Sequence, residues 1–180
     1  MKHLRLIFVV LALIGAAFLA STFYYVLPKT EKVHLSGTEV KRTEDGTANH
    51  DVRYVQAVTL ANEATVYRNE DTRWGWPPYM KFNSADISAQ ATEIARDNPS
   101  ATVLITYYGA RDRILNWYPN VVKMEVVPAD YEHIPIFNIV FFVVLFTVLT
   151  VAYVWTRKRL GKLRDRWKNR NAAKVGSAQV

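Results

Sequence analysis

The chain has 180 residues, 50% of them hydrophobic, and contains no cysteine, which rules out a disulfide scaffold and a thiolate metal site. Its formal charge of +7 is unevenly spread: +2 in the first five residues, −3 between Pro28 and His133, and +8 from Arg157 onward. The basic character therefore belongs to the tail, and the middle of the chain is no candidate for a basic nucleic-acid-binding domain.

Two apolar blocks organise the sequence. Leu6 to Leu27 and Ile134 to Thr156 carry no charge, and each exceeds the roughly 20 residues a helix needs to cross the hydrocarbon core. The pattern predicts transmembrane helices over 6–27 and 134–156, a short N-terminus over 1–5, an extracytoplasmic domain over 28–133, and a basic tail over 157–180. Lys2 and Arg5 precede the first block and Arg157, Lys158 and Arg159 follow the second. Because Lys and Arg are retained on the cytoplasmic side, both termini are expected in the cytoplasm of a bacterial inner membrane and the middle segment outside it. A cleaved signal peptide competes for the first block; the length of the block and Phe18 at the −3 position of the best small-residue site, before Ser21, argue for an uncleaved anchor.

Neither block contains an ionisable side chain, so a pump, proton relay or voltage sensor is not expected. Ala12, Ala16 and Ala20 recur every four residues and form a seam for close helix approach, to the second span or to another protein; Asn138, Thr147 and Thr150 read as interhelical hydrogen-bonding groups. Tyr24, Tyr25, Tyr153 and Trp155 stand where interfacial aromatic anchors are expected.

Between the blocks, alternation and turn residues predict strands near 32–42, 52–59 and 64–68, a helix over 84–97, and strands near 101–108 and 120–127. Glu44-Asp45-Gly46 and Ala61-Asn62-Glu63 mark the first two reversals. Ser84 reads as the helix cap, Ile87, Ala91, Ile94 and Ala95 as its buried face, and Asn98-Pro99 as its stop. In the last strand, alternation puts Val122, Met124 and Val126 on one side. The class is thus a membrane protein of α+β type with a β-β-β-α-β-β domain. That order matches an OB-type barrel, with a generic small α+β sheet as the alternative.

Two loops gather chemistry. Residues 67–79 bring together Glu70, Asp71, Arg73, Trp74, Trp76 and Tyr79 around Pro77-Pro78, a composition typical of binding hot spots on a stiffened backbone. The competing role is structural, with the rings folded back over the core. Arg111 and Asp112 belong to a second polar and aromatic cluster over 109–120, whose simplest reading is a solvated turn with local ion pairs. The four histidines, His3, His34, His50 and His133, show no zinc-ligand spacing, and no nucleophile elbow or phosphate-cradling glycine loop occurs. No metal, cofactor or nucleic acid is expected. A binding module is favoured over an enzyme; the enzymatic alternative is an envelope-directed activity with Glu70, Asp71, Arg73, Arg111 and Asp112 lining a cleft.

In the tail, Leu160, Leu163 and Trp167 fall at i, i+3 and i+7 among Arg157, Lys158, Arg159 and Lys162. This suits contact with an anionic lipid surface, the competing reading being a topology-fixing charge run with a frayed helix. The segment 172–180 reads as a disordered tip.

The stretches GTEVKR at 37–42, VRYVQA at 52–57, VYRNEDTRWGWPPYMKF at 66–82 and NWYPNVV at 116–122 together resemble a bacterial domain-of-unknown-function family, number 1523. The resemblance implies a bacterial inner-membrane protein and supplies no catalytic or binding residues.

Overall fold

The computed structural model describes residues 2–45, 48–72 and 80–177. The element order is α1 (Lys2–Val26), β1 (Lys29–Asp45), β2 (Ala48–Thr59), β3 (Ala64–Arg68), α2 (Ser84–Asp97), β4 (Val103–Tyr108), β5 (Asn120–Val126) and α3 (Ile136–Ser177). The chain separates into two units, 1–134 and 135–180.

In the first unit the strands close into a barrel in the order β1-β2-β3-β5-β4. Neighbours are antiparallel except β3 and β5, which run parallel. β1 is long enough to pair with β4 over Lys29 to Val33 and with β2 from Val33 to Asp45. Such a strand must bend, and it does so where Ser36 is skipped between the pairs Leu35–Ala57 and Gly37–Gln56. Glycine at position 37 takes the bulge conformation, φ +155°, without a side-chain clash. Val33, Leu35, Val55, Ala57, Tyr67, Val103, Ile105, Val121 and Met124 fill the interior, and α2 adds Ile87 and Ala91 with Ile94 and Ala95 alongside. This helix has the predicted limits and the predicted buried face. Tyr67 is 1% exposed, so its hydroxyl needs a partner, and it donates to Glu31 Oε2 at 2.6 Å.

Two local expectations are corrected. β5 does not alternate simply: between the pairs Thr106–Lys123 and Tyr107–Val121 an extra residue, Val122, is inserted. The bulge turns Val121, in place of Val122, inward to 0% exposure; Met124 and Val126 keep the expected common side, with Val126 57% exposed because it ends the strand. At the start of α2 the capping position is Asn83, which makes no side-chain cap bond. Ser84 lies inside the helix, and its N–H and hydroxyl both donate to the carboxylate of Asp71, at 2.9 and 2.8 Å. A charge from a distant loop replaces the local cap at the positive end of the helix.

α1 is long and apolar enough to cross a membrane, with mean hydropathy 2.6 over Arg5–Val26, and none of that stretch is buried in the protein. The same is true of Ile136–Lys162, at 2.5. A core helix of a soluble domain would be covered. The Thr147 and Thr150 hydroxyls are satisfied within their own helix, by Val143 O and Phe146 O, so they are not reserved for a neighbouring helix. α3 continues unbroken through Ser177, past the apolar block and into the segment expected to be disordered; Ala172, Ala173 and Lys174 are good helix formers and give it no reason to stop earlier.

The inward placement of Val121 is checked by charge insertion. Val121→Asp should destabilise the full-length protein by about 4 kcal/mol or more in denaturant titrations, whereas Val126→Asp should cost no more than about 0.5 kcal/mol.

Candidate functional site

The end of the barrel next to α1 is built by chain direction. β1 starts three residues after α1, and β4 runs antiparallel to it with Tyr107 opposite Lys29, so the β4–β5 loop, 109–119, returns beside the last turn of α1. The Gly109 N–H donates to Tyr25 O at 3.0 Å. Gly109 has φ +89°, and an added Cβ would contact Pro119 and the Tyr25 ring, so only glycine makes this approach without strain. Lys29 Nζ donates to Gly109 O at 2.8 Å and lies 3.3 Å from the centre of the Tyr24 ring. Burial lowers its pKa.

The loop is stiffened by its own polar groups. Asp112 Oδ1 accepts from the N–H groups of Ile114 and Leu115, both at 2.8 Å. Asp112 and Trp117 exchange backbone hydrogen bonds, and Asn116 takes φ +53°. Arg111 donates to the carbonyls of Asp112 and Trp117 and stacks 4.0 Å from the centre of the Tyr118 ring. Tyr118 in turn meets Tyr54 edge to face at 5.2 Å, and Trp117 meets Tyr25 at 6.4 Å.

Between this loop, β2, β3 and the end of α1 lies an open cavity of about 370 Å³ lined by Tyr25, Val52, Tyr54, Arg68, Ala110, Asn116, Trp117 and Tyr118. Arg68 is paired with Glu70. Burial pushes the Tyr54 phenol up, opposed by the nearby Arg68 charge. Four rings, a guanidinium and an amide can stack on and hydrogen-bond a partly polar ligand; among the described residues the lining holds no nucleophile paired with a base. A larger depression of about 580 Å³ along α3 is lined by Tyr153, Thr156, Arg157, Leu160, Gly161 and Arg164. All of these come from one helix, so nothing encloses it.

A second polar cluster ties the start of α2 to the barrel. Asn69, 1% exposed, donates to Ser84 O and Ser88 Oγ at 2.8 Å and accepts from Lys81 Nζ. Lys81 is only 2% exposed, whereas Met80 and Phe82 on either side are 61% and 58% exposed. This inversion was not legible in the sequence, where Met-Lys-Phe reads with the lysine outward. Arg53 Nη1 reaches Ser84 Oγ at 3.4 Å. Burial lowers the Lys81 pKa from 10.5 to about 8, with Asp71 and Glu70 pulling the other way.

The predicted site residues thus separate. Asp71 caps α2, Glu70 pairs with Arg68 while its backbone bonds Asn120, and Arg111 and Asp112 hold the second loop in shape. None of these four lines the cavity of about 370 Å³. Arg73, Trp74, Trp76 and Tyr79 lie outside the described residues, as does the side chain of Trp167. In the tail, the Arg159 guanidinium stacks 4.5 Å from the Trp155 ring. Of the rings of the cavity, Trp117 and Tyr118 belong to the polar and aromatic cluster expected over 109–120, whereas nothing in the sequence joins Tyr25 of α1 and Tyr54 of β2 to it; barrel closure brings the four together. Among the described residues no group of three or more His, Asp or Glu side chains is arranged to hold a metal.

Residues 1–159 match the family model described as Protein of unknown function (DUF1523). The chain belongs to the DUF1523 family. A Haemophilus influenzae protein, described as uncharacterized, is 37% identical over 123 residues, which is 63% of this chain and 70% of that protein. No solved structure matches. The DUF1523 match covers both apolar blocks, the barrel and all the cavity residues.

The burial of Lys81 has a pH signature. Between about pH 8 and pH 10 the unfolded chain still holds this proton while the folded chain has lost it, so stability from this group rises with pH. The stability of wild type relative to Lys81→Met should increase by on the order of 2 kcal/mol from about pH 7 to about pH 10; a flat difference in urea titrations would show that the ammonium is solvated.

Proposed function

We propose that the protein is a two-span bacterial inner-membrane protein that holds an OB-type barrel on the extracytoplasmic side as a binding module. The observation that carries the binding reading is the aromatic cavity where α1 meets the barrel, with Tyr54, Trp117 and Tyr118 beside Arg68. In OB folds the loop between the fourth and fifth strands is one of the ligand-binding loops, and here it forms one wall of the cavity. The analogy is one of architecture; the ligand is argued from the cavity itself.

The membrane reading rests on two uncovered apolar helices and on basic residues at the outer flank of each. It assigns 1–5 and 157–180 to the cytoplasm, 6–27 and 134–156 to the spans, and 28–133 to the periplasm. A folded domain on two spans must start and finish near one surface. In support, Lys32 Nζ, near the start of β1, donates to Ala129 O and Tyr131 O in the segment that follows β5, at 3.0 and 3.1 Å. Arg157, Lys158, Arg159 and Lys162 would then face anionic cytoplasmic lipid headgroups. The enzymatic alternative has less support, because Glu70, Asp71, Arg111 and Asp112 are committed to structural bonds.

The chain has no native cysteine, so single-cysteine variants report cleanly. A membrane-impermeant maleimide applied to spheroplasts should label Leu60→Cys and not Lys162→Cys. In the same cells, a photocrosslinking amino acid at Tyr118 should capture a defined species that the same group at Leu60 does not. Equal labelling of both cysteines refutes the topology, and identical crosslinking at both positions refutes the cavity as a binding site.

A further inference from the structure

The tip of the β4–β5 loop presents three large apolar side chains to solvent: Ile114 at 96% exposure, Leu115 at 55% and Trp117 at 53%. A loop tip in water is ordinarily polar. This one is held in place by the two Asp112 hydrogen bonds under Ile114 and Leu115 and by the Asp112–Trp117 bridge, so the exposure is part of a stiff structure. Clustered exposed apolar side chains mark an interaction surface.

The position of the tip says what covers it. Its base is hydrogen-bonded to Tyr25 through Gly109, and Trp117 packs against the Tyr25 ring. Tyr25 is in the last turn of α1, where the uncovered apolar stretch ends at Val26. If α1 spans the bilayer, that turn lies at the membrane surface, and the loop is tied to it. Exposed Arg111 and Arg113 flank the apolar tip, and tryptophan and arginine are the residues that settle among lipid headgroups.

We propose that Ile114, Leu115 and Trp117 insert into the leaflet from which α1 emerges, anchoring the barrel at a second point. The occupant of this surface is the phospholipid interface. The inference rests on the membrane reading above and goes beyond it: the barrel is not suspended on a tether but seated on the bilayer, with the mouth of its cavity at headgroup level, since Trp117 belongs to both the tip and the cavity lining.

The test uses the full-length protein in phosphatidylcholine and phosphatidylglycerol vesicles that contain a lipid with a nitroxide near the headgroup or at the chain end. Leu115→Cys, Leu60→Cys and Ala12→Cys each carry an environment-sensitive fluorophore. Leu60, in the turn that follows β2, is the water reference; Ala12, within α1, is the span reference. The label at 115 should shift to the blue and lose fluorescence to the shallow nitroxide, while that at 60 does neither. Adding Ile114→Asp should return the 115 label to the water-like signal. If 115 behaves like 60 while 12 is quenched by the deep nitroxide, the span stands and the seated loop is refuted. Persistent quenching at 115 in the Ile114→Asp background would mean that the dye itself drives insertion, which also refutes it. No quenching at 12 refutes the span and the inference together.

Discussion

The barrel depends on a narrow seam. Four of its five junctions are antiparallel ladders of five or more residue pairs, whereas β3 and β5 meet in parallel through the single pair Arg68–Asn120 among the described residues. Arg68 N–H donates to Pro119 O, and the Asn120 side chain then acts as a surrogate backbone: its Oδ1 accepts from Glu70 N–H at 3.0 Å and its Nδ2 donates to Glu70 O at 2.9 Å. One more bond, Asn69 N–H to Arg53 O, continues β3 along β2. Without this closure the sheet would have two open edges, which short sheets tolerate poorly. The seam also places Arg68 in the cavity wall and starts the segment that carries Asn69 and Asp71 to α2.

The polar residues near the barrel end are mostly spent on shape. Asp71 satisfies the first turn of α2, Asp112 satisfies the tip of a loop, and Lys81 holds Asn69 from a buried position. Charged groups committed in this way are poor candidates for chemistry, because moving or protonating them would undo the surrounding structure. The rings of Tyr25, Tyr54, Trp117 and Tyr118 line the cavity instead. That division, carboxylates for scaffold and aromatics for the cavity wall, is the feature on which the proposed binding role rests.

Local signals sufficed for the elements: β3 at 64–68 and α2 at 84–97 have the predicted limits, and Asn62 takes the left-handed turn conformation, φ 63°. What was not legible depends on contacts between distant residues. Val122 and Val121 are chemically identical, and only the pairing of β5 with β4 decides which faces inward. Ser84 is a good local cap, yet a carboxylate thirteen residues earlier displaced that role. Lys81 has no local reason to be buried; Asn69 gives it one. The cavity was hidden for the same reason, since its rings are separated by nearly the whole domain in the chain.

α3 has 42 residues without a break, roughly 63 Å at 1.5 Å per residue, about twice the thickness of a hydrocarbon core. Its apolar and basic parts are therefore one shaft rather than a rod and a flexible cord. A turn of the apolar part about its own axis carries Arg157, Arg159 and Arg164 through the same angle, and a tilt sweeps the far end through the largest arc. A soft point of the shaft is Gly161, whose missing side chain leaves open space and costs the helix about 1 kcal/mol relative to alanine. Any bending of this lever is easiest there, six residues beyond Trp155.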